Sequence, residues 1–183
     1  LERVDKTRIP KVPRVEKAQF EKGLENQGLI VVVGEKGIGK SVFVKDSLET
    51  HKPSRFLFLQ TTALIKDKAL KEKALNVLQH EKYIFALVLD GAEALLSFSF
   101  EQRRVFIEAF LSRTSRVILT LTPEALSQLA IEPMTMIPLN PLSIKNVLKT
   151  FPQLTGYIEK NPKLFCTPFY LNIMLQLFNQ LNR

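Results

Sequence analysis

Between Leu29 and Ser41 the chain changes character twice within a short span. Leu29-Ile30-Val31-Val32-Val33 is wholly apolar and rich in β-branched residues, the composition of a strand buried on both faces of a parallel sheet. Gly34-Glu35-Lys36-Gly37-Ile38-Gly39 follows as a loop, and a helical pattern then runs from Lys40 to Glu49. The glycines let the backbone turn in ways closed to other residues, so that successive N–H groups point inward at one anion. The helix start adds its own unpaired N–H groups and the positive end of its dipole. A strand handing over to a helix through such a loop demands a sheet whose strand ends lie together along one edge.

The rest of the chain meets that demand. Arg55–Gln60, Ile84–Leu89 and Arg116–Leu121 read as further strands, and Met134–Pro138 as a weaker fifth. Helical patterns cover residues 15–26, 65–81 and about 100–112, the last opened by Ser99 with Gln102 placed for a capping box. Thr122-Pro123 opens a short helix, Thr as its cap and Pro at its first position. Pro10 and Pro13 keep residues 1–14 extended. Strands alternating with helices predict an α/β fold of three layers around a parallel five-stranded sheet. From about residue 140 no strand-like run remains, and Ser143 and Thr167-Pro168 each look like helix starts. Residues 1–139 are thus expected to form one domain and 140–183 the start of a helical one. A chain that opens on Leu1 and closes just after an apolar helical stretch reads as a segment of a longer polypeptide.

Composition narrows the class. The 183 residues are 45% hydrophobic and 24% charged, enough for a buried core. No apolar run reaches the roughly 18 residues of a membrane helix, and the charged N-terminus lacks the apolar centre of a signal peptide. Cys166 is the single cysteine, so no internal disulfide forms, and a cytoplasmic setting is the default expectation. His51 and His80 stand apart from each other and from Cys166, which gives no metal cluster. The net charge of +8 permits an anionic partner. No aromatic-and-basic stripe favours nucleic acid over nucleotide phosphate.

Gly34–Ser41 fits G-x-x-x-x-G-K-[ST], the phosphate-binding loop of nucleotide-binding proteins. Its expected contacts are Gly34, Glu35, Lys36, Gly37, Ile38, Gly39, Lys40 and Ser41, extending to Val42 in the first helical turn. Lys40 would reach the β- and γ-phosphates, and Ser41 would offer its hydroxyl to Mg²⁺. ATP or ADP with Mg²⁺ is the expected cofactor. Asp90 ends the strand IFALVLD on the same sheet edge and is the expected second Mg²⁺-side group, acting through water. Glu93 would orient the attacking water. The plainer reading makes Asp90 a strand-end turn residue and Glu93 a first-turn helix residue. On the fourth strand Thr120 is the candidate γ-phosphate sensor, because Thr122 already has work as a helix cap. Arg103, Arg104 and Arg113 are candidate arginine fingers on one helix.

Together these pieces resemble the STAND class of P-loop NTPases, in particular its NACHT-like members. Arg14-Val15-Glu16 resembles the segment before the nucleotide domain of that class, GEKGIGKS its Walker A and LVLDGAEAL its Walker B. LNPLS at 139–143 resembles the entry into its first helical subdomain, and TPFYLNIML at 167–175 the Pro-containing helix start that contacts the nucleotide there. On that resemblance Pro168 would touch the base or sugar, though a proline at the first position of a helix also explains it. The class usually has two acidic residues after Asp-Gly-x, where this chain has Glu93 followed by Ala94. It often has Arg where Thr122 stands. Both departures bear on rapid hydrolysis more than on binding. The resemblance implies slow Mg-ATP hydrolysis that drives a conformational and self-association switch with further domains of the same chain. Two other readings stay open: a nucleotide-binding scaffold that does not hydrolyse, and a DNA-associated AAA-like ATPase.

Overall fold

A computed structural model describes residues 12–51, 55–81 and 83–181, so the extended reading of residues 1–11 lies outside it. Two compact units emerge. The larger is Glu16–Asn140, and the other joins residues 141–181 with residues 12–15.

The larger unit opens with α1 (Glu16–Glu25), β1 (Gly28–Val33) and α2 (Lys40–Thr50). Then come β2 (Arg55–Gln60), α3 (Thr61–Lys66), α4 (Lys68–His80) and β3 (Ile84–Asp90). A 3₁₀ helix (Ala92–Ser97), α5 (Phe100–Leu111), β4 (Arg116–Leu121), α6 (Pro123–Leu129) and β5 (Thr135–Pro138) complete it. The five strands form one sheet in the order β2-β3-β4-β1-β5, every pair parallel.

Side-chain alternation explains the layers. Along β1, Leu29, Val31 and Val33 enter one core while Ile30 and Val32 enter the other. The first core is closed by α3 to α6, through Leu64, Leu78, Phe106, Phe110 and Leu129. The second is closed by α1 and α2, through Phe20, Leu24, Phe43, Val44 and Leu48. Both faces of the central strands are therefore dry, which is why LIVVV carries no polar residue. The chain leaves β1 toward one face and β4 toward the other. The carboxyl ends of these neighbouring strands consequently diverge, and an open α/β sheet binds ligands in such a crevice.

The sheet matches the α/β, three-layer, five-stranded expectation. The helix expected over 65–81 is two helices, because Asp67 takes an extended conformation and accepts the Leu70 N–H, stopping α3 and capping α4. The Ser99–Gln102 capping box and the Thr122 cap on the Ala125 N–H are both present. The 3₁₀ helix after β3 carried no sequence signal beyond Glu93.

The second unit contains α7 (Ile144–Thr150), a 3₁₀ turn (Pro152–Leu154), α8 (Thr155–Lys160), α9 (Pro162–Phe165) and α10 (Pro168–Leu181). Its core joins Leu142, Val147, Phe151, Leu154, Ile158, Phe165, Leu171 and Leu175. Among the described residues no helix is long and apolar enough to cross a membrane.

Phe110 is fully buried beneath the sheet, whereas Phe100 on the same helix is 52% exposed. Phe110→Ala is expected to lower unfolding free energy by about 3–5 kcal/mol, and Phe100→Ala to change it by less than about 0.5 kcal/mol. Urea unfolding followed by circular dichroism measures both.

Candidate nucleotide site

The loop after β1 is shaped by its glycines. Gly37 and Gly39 have φ of 82° and 87°, where a side chain is strained, so both turns depend on glycine. Gly34 is needed for a different reason: a Cβ there would lie 2.8 Å from the Leu139 carbonyl oxygen. Ile38 points inward and is buried in the second core, which ties the loop to the sheet. Glu35, Lys36 and Gly37 are exposed at its tip, and Val42 is 62% exposed in the first turn of α2.

Lys40 opens α2 and folds back over the loop. Its Nζ donates to the carbonyls of Gly34 at 2.7 Å and Glu35 at 3.1 Å. Burial lowers the pKa of this ammonium, against the opposing pull of Glu93, Asp90, Glu35 and Glu124. An ammonium partly stripped of water and surrounded by loop amides is primed for a more strongly charged anion.

Asp90, at the end of β3, is the hub of the site. Its side chain is almost buried and accepts three hydrogen bonds. Ser41 Oγ and Thr120 Oγ1 each donate to Oδ1 at 2.6 Å, and Gln60 Nε2 donates to Oδ2 at 2.8 Å. Thr61 Oγ1 donates to the Asp90 main-chain oxygen at 2.9 Å. Thr120 in turn accepts the Gly91 N–H at 3.0 Å. Five elements thus meet on one residue: the ends of β2 and β3, the middle strand β4 and the starts of α2 and α3.

The structure brings Lys40, Ser41, Asp90 and Thr120 together, with Glu93 half-buried in the first turn of the 3₁₀ helix beside Gly91. Thr120 is buried and bonded to Asp90, while Thr122 caps α6. Pro168 starts α10 in the helical unit. Two residues escaped sequence reading. Gln60 ends an edge strand with no motif around it, and Glu124 starts α6 where it acts electrostatically on Lys40.

The three arginines named as candidate fingers each have partners within their own unit. Arg103 is committed to main-chain carbonyls of its own unit, because its position on α5 faces the open end of the 3₁₀ helix. Arg113 falls beyond the end of α5 and donates to Ala109 O and Ser112 Oγ. Arg104 pairs with Glu101 and Glu108 on the surface of that helix.

The residues fit a magnesium–polyphosphate group. The loop offers two glycine turns at positive φ and one ammonium, and Ser41 with Asp90 presents the hard oxygen donors that Mg²⁺ takes alongside water. Among the described residues no group of three or more His, Cys, Asp or Glu side chains forms an all-protein metal cage.

No family model matches the chain, and no curated protein is similar to it in sequence. Solved structures are similar in fold. A Walker-type ATPase of Pyrococcus abyssi superposes with TM-score 0.53 at 17% identity over 84% of this chain. Domain III of the Thermotoga maritima replication initiation protein DnaA gives 0.51 at 10% over 81%, and a DNA replication initiation factor 0.50 at 12% over 87%. The three-layer α/β fold, with its parallel five-stranded sheet, is the fold these structures share. The chain spans 63% of the Walker-type ATPase from Pyrococcus abyssi, 72% of the DnaA domain and 61% of the initiation factor.

Thr120→Val keeps the shape but leaves the Gly91 N–H without its acceptor and Asp90 without a donor. It is expected to cost about 1–3 kcal/mol of stability. Thr120→Ser retains both bonds and is expected to lose less than half of that. Urea midpoints of the two variants settle the difference.

Proposed function

We propose that this chain binds Mg-ATP and Mg-ADP in the Gly34–Ser41 cradle and hydrolyses ATP slowly. The nucleotide state then sets the conformation and self-association of a larger protein of the STAND class. The observation that carries this is the convergence of Ser41, Asp90 and Thr120 within hydrogen-bonding distance beside the Lys40 loop.

Each residue has a distinct task. The inward amides of the loop and the start of α2 bind phosphate oxygens. Lys40 exchanges its two carbonyl partners for the β- and γ-phosphates. Ser41 and Asp90 hold the cation, Asp90 through water. When bound, Mg²⁺ neutralises charge on the transferring phosphoryl group and polarises it. Glu93 orients the attacking water and takes its proton. Thr120, by fixing Asp90, couples β4 to the metal side of the site and senses the γ-phosphate there. A ligand biases a conformational equilibrium only by binding one arrangement more tightly, and the γ-phosphate is the group that differs between ATP and ADP.

A second reading, a DNA-associated ATPase, draws on a specific finding: two of the structures similar in fold are replication-initiation proteins. The net charge of +8 permits it. Duplex-DNA anisotropy as a function of salt separates the two. On the switch reading binding is undetectable at low salt. On the DNA reading the log–log slope steepens by about 0.9 for each phosphate neutralised.

Lys40→Ala is expected to weaken ATP binding by about 100-fold or more, the loss of two charge-assisted hydrogen bonds; unchanged affinity would refute the proposal. The protonated ammonium is the binding form, and its pKa lies below 10.5. Affinity for ADP should therefore fall as pH rises through that lowered pKa, earlier than for an ordinary lysine, and calorimetric titrations across the alkaline range read this directly.

A further inference from the structure

Arg103 lies on α5, outside the phosphate cradle, and its guanidinium meets four main-chain carbonyls. Nε donates to Leu95 O at 3.1 Å and Phe98 O at 2.9 Å. Nη1 donates to Gln128 O at 2.9 Å and Nη2 to Leu96 O at 3.4 Å. Three of these carbonyls close the C-terminal end of the 3₁₀ helix, and the fourth lies in the last turn of α6. Carbonyls at helix ends are favoured by a cation, and a planar fork with five donors reaches four of them here.

The near ends of the same two helices follow the ends of β3 and β4, to which the cradle is bonded through Ser41 Oγ to Asp90 Oδ1 and the Gly34 N–H to Leu121 O. The 3₁₀ helix starts directly after Asp90-Gly91 and carries Glu93 in its first turn. The start of α6 follows Thr122 and carries Glu124 in its first turn. Both carboxylates pull on the Lys40 ammonium. The two helices also share the first core, through Ala92, Leu95, Ala125 and Leu129. One guanidinium therefore clips the far ends of two short levers whose near ends hold acidic groups at the cradle.

We propose, building on the nucleotide-binding reading above, that Arg103 is a positioning residue for phosphoryl transfer. By pinning the C-termini of the 3₁₀ helix and α6 it fixes Glu93 and Glu124 relative to Lys40. Each lever is only about 10–12 Å long, so a tilt of about 10° moves its near end by about 2 Å. A misplacement of about 1 Å is enough to cost about 100-fold in rate. Lys in place of Arg keeps the charge but not the fork, and does not hold the carbonyls together.

The test compares the unsubstituted protein with Arg103→Ala and Arg103→Lys. Phosphate release gives kcat and KM, calorimetry gives ADP affinity, and hydrogen exchange gives local protection. In both variants kcat is expected to fall about 100-fold, with KM and ADP affinity unchanged. Exchange should quicken in residues 92–98 and 123–129 and not in β1. Added methylguanidinium should restore part of the kcat of Arg103→Ala and leave the unsubstituted protein unaffected. Arg103→Lys, which keeps the apolar stem, stands in if the alanine variant does not fold. Unchanged kcat despite faster local exchange overturns the role of Arg103 alone, as does an equal fall of kcat and ADP affinity. No ADP binding by the unsubstituted protein overturns the nucleotide reading and this inference with it.

Discussion

A carboxylate taken almost out of water must be surrounded by donors, and Asp90 has three. They come from α2, the end of β2 and the interior of β4, segments far apart in sequence. The carboxylate is thus both a prospective metal-side group and the fastener that brings the strand ends into register around the loop. Its position follows from burial: a strand dry on both faces carries no polar side chain until it ends, and Asp90 is where β3 ends.

The sheet order gives this fastener its place. With β4 between β3 and β1, the hydroxyl of Thr120 reaches sideways to Asp90, and Ser41 reaches back from the helix after β1. The divergence of chain direction between β1 and β4 places the loop at a topological switch point of the sheet. The cradle and the acidic side are therefore consequences of one topology, and the helices of the first core add Glu93 and Glu124 from the same edge.

Much of this was legible in the sequence because its causes are local. LIVVV states its burial by composition, and Gly37 and Gly39 state their positive φ by lacking a side chain. The pairing of Asp90 with the loop could be expected once both were placed at strand ends. What stayed hidden depends on distant partners. Gln60 bonds a residue thirty positions away, and Arg103 reaches a carbonyl twenty-five positions on. Read alone, Arg103 looks like any helical arginine, one candidate among three on its helix. The split at Asp67 was missed because its capping role competes with a continuous run of helix formers.

The central claim is that main-chain amides of one loop bind the polyphosphate. Amide chemical shifts of ¹⁵N-labelled protein, followed as Mg-ADP is added, test it most directly. Saturable shifts centred on Gly37, Gly39, Lys40 and Ser41 are the expected result. Shifts confined to lysine-rich surfaces elsewhere, or none at all, would contradict the account.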